Sequence, residues 1–114
     1  MQRKIIFSIG EFYHLYNRGV EKRKIFLGEK DRARFHKLMY LANSMEPIRF
    51  REMEDRVFDD ADHGNPLVAI GAYALMPNHF HILVKEIVKN GLSQFMEKLT
   101  TGYAMYFNKK YERV

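Results

Sequence analysis

The chain has 114 residues, enough to bury one hydrophobic core but not two, so we predict a single domain over residues 1–114. Hydrophobic residues make up 46% and charged residues 29%, a balance typical of a folded globular protein rather than a disordered one. Cysteine is absent and no apolar run approaches the ~20 residues of a membrane span. These features exclude disulfides, thiolate zinc sites and a transmembrane helix, and they favour a cytoplasmic protein.

The charge is distributed unevenly along the chain. The net charge is +5, yet residues 47–66 carry six acidic residues against three arginines, which leaves +8 for the remainder. Basic residues concentrate between Arg18 and Lys37. A basic field of this kind suits a polyanion such as nucleic acid, although many small basic proteins bind none.

The first half of the chain predicts a strand, a helix and an exposed segment. Aromatic residues alternate over Phe12–Asn17, which favours a strand ending at Arg18. Asp31 is a candidate N-cap for a helix that stops before Pro47 and whose apolar residues recur at helical spacing. That stripe comprises Phe35, Leu38, Met39, Ala42 and Met45. Residues 47–66 are polar, acidic and bracketed by prolines, and we expect an exposed excursion there.

The second half predicts a hairpin and a second helix. The stretch LVAIGAYALMPNHFHILVKE contains two apolar strands that are interrupted around Met76-Pro77-Asn78, which indicates a tight turn. Ser93 is a candidate N-cap for the helix that follows. Its apolar stripe comprises Phe95, Met96, Leu99, Tyr103 and Tyr106.

The predicted order β-α-β-β-α indicates an α+β fold of the ferredoxin-like split βαβ type, without its last strand. We expect an antiparallel sheet with two helices on one face and the other face open. Because side chains alternate along a strand, Phe80, Ile82 and Val84 should face the helices. His79 and His81 should then lie on the open face.

Two histidines at adjacent same-face positions can both reach one divalent ion through their imidazole nitrogens. Two ligands are few for tight binding, so a third protein ligand or substrate phosphate oxygens would be needed. From spacing alone, His79 and His81 are more simply two surface histidines, because His-x-His is short and occurs by chance.

The flanking sequence changes this interpretation. The stretch MPNHFHILV resembles the HUH motif (histidine, hydrophobic residue, histidine) of single-tyrosine transposases, particularly those of the REP-associated type. YHLYNRGVEKRKIF resembles the first strand and basic loop of that family, and FMEKLTTGYAMYFNKKYERV resembles its second helix. The excursion at 47–66 is the part least similar to the family.

The resemblance implies metal-dependent cleavage and rejoining of single-stranded or hairpin DNA through a phosphotyrosine intermediate. It implies that His79 and His81 hold Mg²⁺ or Mn²⁺, and that the protein is a homodimer. The phenol of tyrosine has a pKa near 10, so it needs a neighbouring cation to act as a nucleophile at neutral pH. The metal would also offset negative charge that develops on the phosphate.

The nucleophile is missing from the expected pattern. In the family the tyrosine lies in a Tyr-Ile-x-x-Asn-Pro type stretch on a further helix, and no Tyr-Ile-x-x-Asn stretch occurs in this sequence. We therefore expect a chain that is truncated before the nucleophile. Tyr103, Tyr106 and Tyr111 are not expected to replace it, because Tyr103 belongs to an apolar stripe and the other two lie near the end of that helix.

The candidate DNA-binding residues are Asn17, Arg18, Lys22, Arg23 and Lys24, at and after the first strand. The cations can neutralise phosphates, and Asn17 can hydrogen-bond a base edge or shape the turn. Alternation places one of Tyr13 and Tyr16 in the core and leaves the other able to stack on an unpaired base. His14 is predicted to be a structural or surface residue rather than a ligand.

Two alternatives to an active transposase follow from the same residues. One is a non-catalytic nucleic-acid-binding module, and the other is an inactive fragment of a mobile-element protein. Dependence of binding on the histidine pair distinguishes a transposase from a pure binding module.

Overall fold

The protein, described by a computed structural model over residues 7–18, 23–48 and 64–112, contains one sheet and two helices in these ranges. The elements are β1 (Phe12–Arg18), α1 (Glu29–Ala42), β2 (Val68–Met76), β3 (His79–Glu86) and α2 (Gly91–Lys110). The predicted α+β class and the order β-α-β-β-α are confirmed. Neither of the two helices is at once long and apolar enough to cross a membrane within the described ranges.

Strand β3 lies at the centre of the sheet, in the order β1-β3-β2, and it runs antiparallel to both neighbours. This is the strand order of a split βαβ unit. Residues Pro77 and Asn78 form the two-residue turn between β2 and β3, as the sequence predicted. The ladder between β2 and β3 shifts register between Ile70 and Ala72, a bulge that accommodates one extra residue in β2.

One face of the sheet forms the core with both helices. Phe80, Ile82 and Val84 of β3 are at most 3% exposed, which confirms the face predicted from alternation. The ring centroid of Phe35 in α1 lies 4.9 Å from that of Phe80, and Tyr103 of α2 packs edge-on against Phe35. The other buried apolar residues are Phe26, Leu38, Met39, Ala42, Leu67, Val68, Leu92, Phe95, Leu99 and Phe107.

The prediction that Asp31 is the N-cap of the first helix is wrong. Helix α1 begins at Glu29, with Gly28 as its N-cap residue, so Asp31 lies inside the first turn and is fully buried. Its carboxylate accepts a 2.8 Å hydrogen bond from the Leu27 N–H, reaching back to a donor just ahead of the helix. Met45, predicted as part of the apolar stripe, lies beyond the helix end and is 58% exposed.

The prediction that Ser93 caps the second helix is also wrong. Helix α2 begins two residues earlier at Gly91, after Asn90 in a left-handed conformation with φ of 62°. The buried carboxylate of Glu86 accepts a 2.8 Å hydrogen bond from the Leu92 N–H, so the end of β3 supplies the capping group. The cap therefore comes from a tertiary contact that a local sequence pattern does not contain.

The two described ends of the acidic excursion meet beside α2. The Met45 N–H donates a 2.9 Å hydrogen bond to the Asn65 carbonyl, and Nζ of Lys98 donates to the Glu46 carbonyl at 2.8 Å. The Asn43 side chain holds the start of β2 through three 2.9 Å hydrogen bonds to backbone groups of Leu67 and Val68. The excursion itself lies mostly outside the described residues, which resume at position 64.

Candidate functional site on the open face of the sheet

The histidine pair lies at the start of β3, on the face opposite the core. His79 and His81 are half-buried, whereas Phe80 between them is buried. The two imidazole centroids are 4.9 Å apart and their planes are inclined by 86°. The two side chains are therefore neighbours on the open face, as alternation predicted.

Each imidazole has a partner at its Nδ1 atom. Nδ1 of His79 lies 2.6 Å from Oδ1 of Asn78, the preceding residue of the turn. Nδ1 of His81 lies 2.8 Å from Nε2 of His14, which belongs to β1. The ring centroids of His14 and His81 are 4.9 Å apart and their planes are inclined by 25°.

The sequence predicts a structural or surface position for His14 and gives no local sign of its contact with His81. Strand pairing explains the contact, because Tyr16 is opposite His81 in the register and His14 shares the face of Tyr16. The signal that could have identified it was alternation on β1 combined with the strand order of the split βαβ unit. That order places β1 directly beside the strand that carries the histidines.

The basic segment, which carries Arg18, Lys22, Arg23 and Lys24, is held at one described end by β3 and at the other by the turn that precedes β3. At its start, Arg18 is opposite His79 in the register of β1 and β3. At its end, the backbone N–H groups of Ile25 and Phe26 both donate to the Pro77 carbonyl, at 2.7 and 3.1 Å. The segment therefore leaves the sheet and returns to it beside the turn that precedes His79.

The predicted DNA-binding residues differ in how far the structure describes them. Asn17, Arg23 and Lys24 are exposed. The backbone of Arg18 ends β1, whereas its side chain and all of Lys22 lie outside the described residues.

The two tyrosines of β1 lie on opposite faces of the sheet. Tyr13 is half-buried against the core, and its ring packs edge-on against Phe7 with centroids 4.7 Å apart. Tyr16 is 64% exposed on the open face, with its ring centroid 6.0 Å from that of His81. As predicted, one of the two rings packs against the core and the other is accessible, here beside the histidine pair.

Tyr103 is held on the helical side of the sheet. Its side chain is 7% exposed, and its hydroxyl donates a hydrogen bond to the Ile25 carbonyl. Burial raises the pKa of Tyr103 well above its ordinary value, and the nearby Asp31 carboxylate raises it further. A phenol that ionises with such difficulty is a poor nucleophile, and this one is on the side of the sheet opposite the histidines.

Tyr106 and Tyr111 are held on the same side by the buried carboxylate of Asp31. Their hydroxyls donate 2.7 Å hydrogen bonds to its two oxygens, and Nζ of Lys110 donates to Oδ1 at 2.9 Å. Burial raises the pKa of Tyr106, with the hydrogen bond to Asp31 adding to the effect. For Tyr111 the hydrogen bond to Asp31 is the largest cause of a raised pKa.

The donor set on the open face suits a hard divalent ion only in part. His79 and His81 supply two adjacent imidazoles, whereas Mg²⁺ and Mn²⁺ prefer oxygen ligands. No group of three or more histidine, aspartate or glutamate side chains in residues 7–18, 23–48 and 64–112 is arranged to hold a metal ion. His14 is engaged with Nδ1 of His81 and is not a third ligand. The two histidines therefore fit a weak site completed by water or by a bound phosphate.

Comparison with known proteins supports the family suggested by the sequence. Residues 63–114 match a family described as Transposase IS200 like. The matched stretch includes the histidine pair and all of α2. No significant match was found among curated proteins or among solved structures. The family match confirms the predicted resemblance to transposases over this stretch of the chain.

Proposed function

Because residues 63–114 match the IS200-like transposases, we propose that the chain is a transposase domain that binds single-stranded or hairpin DNA for cleavage and rejoining in the cytoplasm. The observation that carries this proposal is the anchoring of the basic segment beside the histidine pair. Arg18 is opposite His79, and Ile25 is hydrogen-bonded to the turn before it. Because both described ends of this segment lie beside the β2–β3 turn, we propose that phosphates bound by its cations come near His79 and His81.

In this proposal, different residues of the chain contact the phosphates and the bases of the DNA. The basic segment neutralises backbone phosphates, which fixes the position of the strand without reading its sequence. The exposed ring of Tyr16 offers a surface on which an unpaired base can stack beside His81. Asn17 is exposed at the end of β1 but is opposite the core residue Phe80, on the helical side of the sheet, so we assign it to shaping the turn into the basic segment.

His79 and His81 are the residues that would hold Mg²⁺ or Mn²⁺ in this proposal. When bound, the ion supplies positive charge that stabilises a phosphate under nucleophilic attack. The half-buried position of both histidines keeps them accessible to a phosphate on the open face. Because protein ligands number only two, we expect metal and DNA to bind more tightly together than separately.

We propose that Tyr103, Tyr106 and Tyr111 do not act as the nucleophile. All three hydroxyls are hydrogen-bonded on the helical side of the sheet, and all three pKa values are raised. The sheet separates them from His79 and His81.

We also propose that two copies of the chain associate at the outer edge of β1. In the order β1-β3-β2, β1 is an edge strand of the described sheet, and it exposes Phe12 and Tyr16. An exposed apolar edge strand is a template for pairing with another chain. Light scattering at ~100 µM should give the mass of a dimer or larger assembly, since this concentration is well above the Kd of a stable interface. A monodisperse monomer would overturn this part of the proposal.

A non-catalytic nucleic-acid-binding module is the second candidate function. The positions of Tyr103, Tyr106 and Tyr111 favour it, because none of them is on the face of the histidine pair. In a pure binding module, replacing His79 and His81 would leave both DNA affinity and its response to Mn²⁺ unchanged.

Fluorescence anisotropy with a labelled hairpin DNA tests the proposed function. Affinity should fall with salt, with a log–log slope of about −0.7 for each phosphate neutralised. Arg23→Glu should weaken binding and reduce the slope. Lys89→Glu makes the same change of charge at an exposed residue just beyond the opposite end of β3, and it should have a much smaller effect. Equal losses in the two variants would show that net charge, and not the basic segment, governs binding.

A further inference from the structure

The structure assigns a role to the two residues that contact the Nδ1 atoms of the histidine pair. We propose that Asn78 and His14 are positioning residues, which hold His79 and His81 in the tautomer with the proton on Nδ1 and the lone pair on Nε2. The inference rests on the proposed function, because it concerns how these histidines are prepared to hold a divalent ion. Neither residue is itself proposed as a ligand.

For His79 the tautomer follows from the chemistry of its partner. The 2.6 Å contact joins Nδ1 to the side-chain oxygen of Asn78. An amide oxygen can only accept a hydrogen bond, so the proton of the contact must be on Nδ1 of the imidazole. A neutral imidazole with its proton on Nδ1 carries its lone pair on Nε2, which is the atom that can ligate a metal.

For His81 the contact with His14 determines which nitrogen remains available to a metal ion. Nδ1 of His81 is 2.8 Å from Nε2 of His14, too close for a metal ion to be bound at that nitrogen. If His81 is a ligand, the ligating atom is therefore Nε2, and its proton must be on Nδ1. His81 is then the donor and Nε2 of His14 the acceptor.

The two contacts give both histidines the same tautomer, although the two partners belong to different elements of the fold. Asn78 acts from the β2–β3 turn and His14 from β1, so the orientation of each ring is fixed by a different element. Metal-ligating histidines generally donate their second N–H to an acceptor that sets the tautomer and the ring orientation. Loss of such an acceptor typically reduces metal affinity 10- to 100-fold.

The test measures two properties: the tautomers of His79 and His81, and the affinity of the protein for Mn²⁺. Long-range ¹H–¹⁵N NMR spectra of the metal-free protein in mildly alkaline buffer report which ring nitrogen of each histidine carries the proton. We expect Nδ1–H for both His79 and His81. EPR of free Mn²⁺ measures affinity: His14→Leu should lower it about 10-fold or more and introduce the Nε2–H tautomer at His81. His14→Gln, which retains an acceptor oxygen, should keep affinity close to the wild-type value.

Two controls separate the proposal from a structural effect and from the proposed function. His36→Leu removes an exposed histidine of α1, on the helical side of the sheet, and should change neither the tautomers nor the affinity. The thermal melting of every variant reports folding independently. Wild-type protein that binds Mn²⁺ while His14→Leu binds it equally well would overturn the positioning role alone. The Nε2–H tautomer at His81 in the wild-type protein would overturn it without reference to metal, and a wild-type protein that binds no Mn²⁺ would overturn the metal site as well.

Discussion

The hydroxyl of Tyr111 donates a 2.7 Å hydrogen bond to Oδ2 of Asp31, across 80 residues of sequence. The same carboxylate accepts hydrogen bonds from Tyr106, Lys110 and the Leu27 N–H. Asp31 is fully buried, so these donors replace the water that an ionised carboxylate would otherwise require. The contacts fix the end of α2 against the start of α1, and they keep two tyrosines away from the histidine pair.

The first prediction is that Asp31→Asn lowers the free energy of unfolding by about 2–4 kcal/mol, because it removes a buried charge from a set of donors arranged around it. Urea denaturation measures the change. Glu29→Gln alters an exposed acid in the same helical turn, whose 3.5 Å contact with Arg32 is a surface ion pair. That control should cost less than about 1 kcal/mol. Similar losses in the two variants would contradict a special role for Asp31.

The second prediction concerns pH. Burial raises the pKa of Asp31, but hydrogen bonds from Tyr106, Tyr111, Lys110 and the Leu27 N–H outweigh it and lower the pKa to about 2, from 3.8. The ionised group therefore stabilises the fold above pH 3.8, and this contribution is lost as the pH falls toward 2. The difference in unfolding free energy between wild type and Asp31→Asn should be constant from pH 7 to about 5 and narrow below about 4. If the difference in unfolding free energy instead grew as the pH fell, the pKa of Asp31 would not be lowered by folding, and the prediction would be wrong.

The third prediction compares two glycines. A Cβ at Gly91 would lie 2.3 Å from the Leu67 carbonyl oxygen and 2.8 Å from Cγ2 of Val88, so backbone must move to accept it. Gly91→Ala should therefore destabilise the protein by about 1–3 kcal/mol. At Gly28 no atom lies within 4 Å of such a Cβ, and the extended backbone there suits any residue. Gly28→Ala should cost less than Gly91→Ala, about 1 kcal/mol or below, because it only replaces a glycine N-cap by alanine. A loss at Gly28 as large as that at Gly91 would refute the steric explanation.

The fourth prediction is that the 114-residue polypeptide binds hairpin DNA but forms no covalent adduct in the presence of Mn²⁺. The reason is that Tyr103, Tyr106 and Tyr111 are hydrogen-bonded on the side of the sheet opposite the histidines. A denaturing gel with labelled DNA detects any adduct. If a DNA-linked band forms and Tyr→Phe at one of these three positions abolishes it, that residue is a nucleophile after all. Tyr16→Phe is tested in the same way, because Tyr16 is exposed beside His81 and its loss would identify it as the source of any adduct.

The elements and their faces were predictable from the sequence because their periodicities are local. Alternation placed Phe80 in the core and His79 and His81 on the open face. The Pro77–Asn78 turn was evident from residue type alone. The caps were not predictable in this way. The carboxylate of Asp31 accepts hydrogen bonds from residues about 80 positions away in the sequence. The start of α2 is capped by Glu86, which lies at the end of a strand.

The site could be predicted only in part, for the same reason. His79 and His81 are separated by one residue, and they were recognisable from this spacing and from the resemblance of their segment to the HUH motif. The contact between His14 and His81 spans 67 residues and exists only because β1 pairs with β3. The position of the basic segment beside the histidines likewise depends on the pairing of Arg18 with His79 and on the hydrogen bonds to Pro77. Neither relationship has a signature in the local sequence.

A Mn²⁺ titration followed by NMR shows whether His79 and His81 form a divalent-ion site. Paramagnetic broadening should be confined to residues around His79 and His81 in the wild-type protein, and it should disappear in the double variant His79→Ala, His81→Ala. His36→Ala, which also removes a histidine but from α1, should behave as the wild type does. Weak binding is expected, since two imidazoles leave most coordination positions to water. Equal broadening of the wild-type protein and the double variant would contradict a divalent-ion site at the histidine pair.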